Sequence, residues 1–226
     1  MILRQEDDPQ TGTVPPLRDG DRLTADEFHR RYEAMPEVKK AELLNGVVYI
    51  MSSPVRYVQH GRPVGQIVTW LGVYEAGTPG VLSGTDCTAR INNRNEPQPD
   101  AVLFLDQAHG GQATLDARGY IAGSPEFVAE IGASTNDRDI GPKRDIYEQT
   151  GVREYLLWDV DGDRINWWHL TDGAYQLLPM DGNGIIRSRV FPGLWLDVPA
   201  LRAGDGAGVL ATLNRGMAER DISNEE

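Results

Sequence analysis

The chain is short of cysteine, of positive charge and of long hydrophobic runs, and each shortage removes a class of protein. One cysteine, Cys87, stands in 226 residues, so no internal disulfide framework can form. No histidine neighbours it in sequence, and it reads as a buried, inert thiol. No run of about 18 apolar residues occurs. The opening MILRQEDDPQTGTVPP also lacks the apolar centre of a secretion signal. The expectation is a soluble, cytoplasmic protein with no membrane partner. Lys and Arg number 22 against 34 Asp and Glu, a net charge of −12. An acidic surface repels polyanions and argues against tight non-specific nucleic-acid binding, unless the basic residues gather on one face. A Gly-x-Ser-x-Gly elbow is missing, and nothing in the sequence around Cys87 would activate the thiol. A hydrolase working through Cys87 or a Ser-His pair therefore has little support.

What is present suits one substantial core, with 40% hydrophobic and 25% charged residues. Residues 1–20 are acidic and proline-rich and read as a mobile or peripherally docked arm. The main domain is expected over 21–203, with a helical tail over 204–226. Thr24 with Glu27 three residues on is a capping-box pattern, and Leu23 and Phe28 stand where a hydrophobic staple would close. Asn45-Gly46 between the apolar runs of AELLNGVVYIM predicts a tight hairpin, because both central residues must reach positive φ. A helix is expected over 55–76, firm from Pro63 onward. Strands are expected over 80–91 and 100–105, the second buried on both faces. Residues 106–124 read as a long connection. Another buried strand spans 127–131, and a helix over 142–150 starts at Pro142 and closes at Gly151. A meander over 154–160, 164–170 and 174–178 carries Trp158, Trp167 and Trp168, which suit a core or a dimer surface. A final helix is expected over 209–219. This order implies an α/β or α+β domain with a mixed sheet, flanking helices and a C-terminal β-meander.

The chemistry concentrates in FVAEIGASTNDRDIGPKRDIYEQTG. Strand alternation puts Val128, Glu130 and Gly132 on one face, with Phe127, Ala129 and Ile131 on the other. A carboxylate among such neighbours is costly unless a cation or hydrogen-bond donors compensate it. Asp100 poses the same problem at the head of DAVLFL, where Pro97 and Pro99 hold the approach extended. Together Asp100 and Glu130 could anchor Mg2+, with the Ile131 carbonyl, waters and a substrate phosphate completing the shell. Read singly, each acid is better explained as a strand-end cap on a loop or as half of an ion pair. Gly132 leaves a gap beside Glu130, and Lys143 in the first turn of the next helix could fill it. Its ammonium would then orient the attacking water, whereas the plain alternative is a solvated lysine. Tyr147 lies one helical turn further along the same face. Glu42 could supply a third acid, His60 a ring at the cleft, and Ser134 a hydroxyl for a phosphate.

In order and spacing, LTADEF, AELLNGVVYIMSSP, QPDAVLF, FVAEIGAST, DRDIGPKRDIYEQTGVREYLLWDVD and FPGLWLDVPAL resemble the Uma-type putative restriction endonuclease family. The likeness runs over roughly 22–203. It implies a restriction-endonuclease-like PD-(D/E)XK core. The family's helix acid then corresponds to Glu42, its PD acid to Asp100 and its second acid to Glu130. The superfamily lysine belongs at 132, where this chain has Gly132; the family often moves it to the next helix, where Lys143 stands. The loop Gly-Ala-Ser-Thr departs from the family's usual Leu-Ser-Pro-Ser-Thr. The resemblance implies a Mg2+- or Mn2+-dependent endonuclease acting on DNA, with Glu42, Asp100, Glu130 and Lys143 at the reaction. A homodimer is the default by base rate alone. The rival reading is a catalytically inactive scaffold that pairs with its own copy as an assembly module.

Overall fold

The computed structural model describes residues 14–51, 53–132 and 137–223. In chain order the elements are α1 (Ala25–Glu33), the hairpin β1 (Ala41–Leu44) and β2 (Val47–Ile50), a π-helical turn (Tyr57–Gly61) and α2 (Arg62–Ala76). Then come β3 (Val81–Gly84), β4 (Ala89–Arg90), β5 (Ala101–Leu105), β6 (Thr114–Leu115), β7 (Ile121–Ala122), β8 (Phe127–Gly132) and α3 (Asp137–Thr150). The chain closes with β9 (Glu154–Asp159), β10 (Arg164–Thr171), β11 (Ala174–Leu177), β12 (Ile185–Arg187), β13 (Trp195–Asp197), α4 (Val198–Ala203) and α5 (Gly206–Ser223).

The central sheet has six strands in the order β11-β10-β9-β8-β5-β3. Only β8 and β9, joined through α3, run parallel; the other neighbours are antiparallel, so the sheet is mixed as the element order implied. Strand alternation divides β8 as expected. Phe127, Ala129 and Ile131 meet Ile67, Trp70 and Leu71 of α2 in one core, while Val128 joins Tyr147, Tyr155 and Leu157 in the other. Trp167 packs edge-on against both Trp70 and Phe127, and Trp158 lies in the same layer. Two of the meander's tryptophans therefore fill the core. Trp168 stacks on Tyr155 and receives the Arg144 guanidinium on its ring. Val209 and Leu213 of α5 complete the α2 side. A third cluster joins Leu17 and Phe28 to Ala41, Leu43 and Val48 of the hairpin.

The hairpin turn has Asn45 at φ 52° and Gly46 at φ 79°, the paired left-handed conformation its sequence demands. Thr24 caps α1 by accepting from the Glu27 amide, but the Glu27 carboxylate turns to Arg30 and Arg31 and leaves the box one-sided. Three expected elements differ. The single strand over 80–91 is broken into β3 and β4 by a turn whose Asp86 sits at φ 50°. The supposed connection over 106–124 contains β6 and β7, which form a separate small sheet with β4 in the order β4-β7-β6. Their turn is held by Asp116, which accepts from the amides of Arg118 and Tyr120. Finally, α3 starts at Asp137 and runs through Pro142. A proline inside a helix forfeits one backbone hydrogen bond yet need not end it, so its presence misplaced the start. Gly151, at φ 82°, closes α3 as expected.

Candidate functional site

β5 begins one residue after Asp100, whereas its neighbour β8 continues past that point to Gly132. The Ile131 amide thus extends beyond the β5 ladder, and Asp100 Oδ2 accepts from it at 2.8 Å. A side chain takes over where the strand stops, which fixes the Asp100 carboxylate at the lip of the sheet. Its carbonyl accepts from Thr85 Oγ1 at 2.8 Å, so the turn after β3 clamps the same residue. Asp100 Oδ1 is left facing outward, 3.2 Å from Lys40 Nζ and 3.6 Å from His60 Nε2.

Glu130 leaves the neighbouring strand beside it. Its Oε1 accepts from Lys143 Nζ at 3.0 Å and from the Tyr147 hydroxyl at 2.7 Å. Lys143 also donates to Glu42 Oε1 at 2.8 Å, and the Gln98 amide donates to that oxygen at 2.7 Å. Lys143 comes from the second turn of α3 and is buried, so the solvated alternative is excluded. Among the described residues, a Cβ at Gly132 would meet nothing within 4 Å. Lys143 reaches Glu130 without entering that space, so the expected filling of the gap is not what brings the two together. Glu42 is buried in a strand whose two faces are both covered, rather than lying at a half-buried edge.

Of the expected residues, Glu42, Lys143, Glu130 and Tyr147 form one hydrogen-bonded network, and Asp100, whose charge helps to raise the Glu130 carboxyl, completes the site. His60 joins it: Nδ1 lies 3.0 Å from the Ile131 carbonyl oxygen and donates to it. Ser134 lies outside the described residues. Cys87 stays apart; it donates to the Thr85 carbonyl, and burial pushes its thiol up, away from nucleophilic use. Sequence reasoning missed Lys40, which also pairs with Asp86 at 2.8 Å. A signal for it existed, because Lys40 precedes Glu42 by two residues and strand alternation turns both the same way.

Burial governs the electrostatics. It pushes the Glu130 carboxyl up to about 7, with the Lys143 charge opposing and those of Asp100 and Glu42 adding to the rise. For Lys143, burial opposes the charged form, but Glu130 and Glu42 outweigh it and hold the ammonium well above the usual lysine range. Lys40 follows the same logic: burial opposes its charge, and Asp100, Asp86 and Glu130 outweigh it. Burial also raises the Tyr147 hydroxyl, which the neighbouring carboxylates keep protonated as a donor.

Among the described residues no three ionisable ligand side chains gather as a ready-made metal cage. The donor set is narrower and still fits a hard cation. One imidazole reaches the Ile131 carbonyl through Nδ1 and Asp100 Oδ1 through Nε2, so both oxygens belong to the same lip of the sheet. With the Glu130 carboxylate beside them, they form an all-oxygen set of the kind Mg2+ accepts, the remaining positions going to water and substrate.

The family model described as "Uma2: Putative restriction endonuclease" matches residues 25–199. A solved structure from Anabaena variabilis ATCC 29413, described as a putative nuclease belonging to DUF820, is similar with a TM-score of 0.62 at 14% identity. The match covers 80% of this chain and 98% of that one. At that identity the likeness shows the fold, a mixed α/β restriction-endonuclease-like core. No curated protein matches the chain.

Proposed function

This chain belongs to the Uma2 family, and from that membership and its buried charges we propose a metal-dependent endonuclease that hydrolyses phosphodiester bonds in DNA. The observation that carries the proposal is the convergence of Asp100, Glu130 and Lys143 at one end of β5 and β8. Asp100 Oδ1, the second oxygen of Glu130 and the Ile131 carbonyl would hold Mg2+ or Mn2+. Such an ion supplies Lewis-acid polarisation of a phosphoryl oxygen and lowers the pKa of a water.

The chain's own residues set the geometry. Lys143 has three N–H donors, of which Glu42 and Glu130 each take one, leaving one for the attacking water or a phosphoryl oxygen. Its charge is fixed where negative charge grows on the phosphoryl oxygens, so it stabilises the transition state without reorganising. Glu42 acts through Lys143, and Tyr147 holds Glu130 in one rotamer. As the water oxygen bonds to phosphorus, the opposite bond to the sugar oxygen breaks in line. On the same turn as His60, exposed Arg56 and Tyr57 offer a phosphate contact and a stacking face, which supports a nucleic-acid substrate despite the acidic whole.

The test is cleavage of DNA with Mn2+ or Mg2+. Wild type is expected to cut and Glu130→Gln to lose the activity while staying folded. Full metal-dependent cleavage by the variant would end the assignment. A symmetric homodimer and a cytoplasmic location belong to the same proposal. β11 is an edge strand with Leu177 exposed, the natural place for self-pairing, and light scattering over a concentration series checks it. With Trp158 and Trp167 in the core, the meander offers less apolar surface to the rival assembly-module reading.

A further inference from the structure

Lys40 stands just before β1, where its carbonyl accepts from the Met51 amide and prolongs the hairpin ladder. Its ammonium lies between two unlike anchors. Asp100 is 4% exposed at the side chain, and Asp86, at the tip of the turn after β3, is 59% exposed. Asp100 Oδ2 is already occupied by the Ile131 amide, so Lys40 rests against Oδ1, the outward oxygen an ion would need. His60 Nε2 approaches the same atom at 3.6 Å, but Lys40 alone also holds a second carboxylate.

We propose that Lys40 is a resident counter-ion that competes with the divalent cation for Asp100 Oδ1 and yields by swinging wholly onto Asp86. This rests on the reading of Asp100 and Glu130 as ion-holding groups. A buried carboxylate requires a nearby positive charge, which Lys40 provides. A divalent ion binds oxygen at about 2.1 Å. An ammonium left on the same oxygen would then stand within a few ångströms of it, in surroundings that screen poorly. The two charges exclude each other. Lys40 does not lose its partner on leaving, since the bond to Asp86 exists beforehand and a quarter of its side chain is exposed. The pair Lys40–Asp86 thereby sets the cation concentration at which the site fills, and it keeps the carboxylates neutralised below that concentration.

The experiment is a calorimetric titration of Mn2+ alone into the full chain, for wild type, Lys40→Met, Asp86→Asn and Asp100→Asn, with thermal unfolding in chelator to verify the fold. Lys40→Met is expected to bind Mn2+ about tenfold more tightly, a change of about 1.4 kcal/mol. Asp86→Asn is expected to bind several-fold more weakly, because the lysine then has only Asp100 to hold. Asp100→Asn should lose binding. If Lys40→Met proves unstable, Lys40→Gln must give the same tightening. Unchanged or weaker binding in the lysine variants, with Asp100→Asn still null, overturns the competition and leaves the ion site standing. Absence of Mn2+ binding in both wild type and Lys40→Met overturns the ion site and the competition together.

Discussion

Lys143 and Glu42 are 101 residues apart in the chain, and their side chains meet at 2.8 Å with 7% and 2% of their surfaces exposed. Glu130 shares the same ammonium at 3.0 Å. One cation thus holds together the hairpin, the central sheet and α3. The same contact that stabilises the fold sets the charge used in the proposed chemistry, so substitutions must separate the two roles.

Removing the cation leaves two buried acids facing each other. Lys143→Ala is expected to cost roughly 3–5 kcal/mol of stability as well as cleavage. The double variant Glu42→Gln with Lys143→Met removes one acid along with the cation and should recover most of that stability but none of the activity. Denaturant unfolding beside a cleavage assay reads both.

The open space at Gly132 permits a reciprocal experiment. Gly132→Lys would return a lysine to the strand position that the superfamily pattern occupies, and among the described residues no atom blocks its Cβ. Combined with Lys143→Met, it is expected to restore part of the cleavage that Lys143→Met alone loses. No restoration, in a folded protein, would mean that the ammonium must enter from α3.

Tyr147→Phe deletes the 2.7 Å hydrogen bond to Glu130 Oε1 and little else. Hydrogen bonds to charged groups contribute roughly 1.5–3 kcal/mol. Groups that orient a ligating carboxylate typically change activity about 10- to 100-fold. The variant should unfold at lower denaturant and cleave at least about tenfold more slowly, while Mn2+ affinity falls less than in Asp100→Asn.

Away from the site, burial pushes the Glu154 carboxyl up to about 7, with the Arg189 and Val190 amides and Ser188 partly opposing. The folded state therefore binds this proton more tightly than the unfolded chain does. The stabilisation is fully present below the ordinary glutamate range and is lost as pH rises through about 7. The shift from 4.5 to about 7 corresponds to roughly 3 kcal/mol. Glu154→Gln should flatten the part of the pH–stability curve between those values, whatever its absolute cost. Chemical unfolding at a series of pH values measures it.

Several features were legible because they are local. Asn45-Gly46 forces its turn through backbone sterics, β5 announces double burial by its unbroken apolar run, and the alternation along β8 assigns Glu130 to a face. The cost of burying an acid in each of two apolar strands suggested the pairing of Asp100 with Glu130, and the resemblance implied the same pair. The failures are as local in origin. Pro142 looked like a helix start because proline is favoured there, yet the helix tolerates it. The short strands β4, β6 and β7 have two residues each and no periodicity to detect.

The amino-acid order alone determined which side chains would be expensive to bury: the acids Glu42, Asp100 and Glu130, set at or within apolar strand runs. Which charge compensates which was decided only in three dimensions. That choice depends on β8 running three residues beyond its pairing with β5, on α3 placing Lys143 between Glu42 and Glu130, and on a turn bringing Asp86 to Lys40. Electrostatic pairing is a matter of distance through space, and chain separation carries almost no information about it.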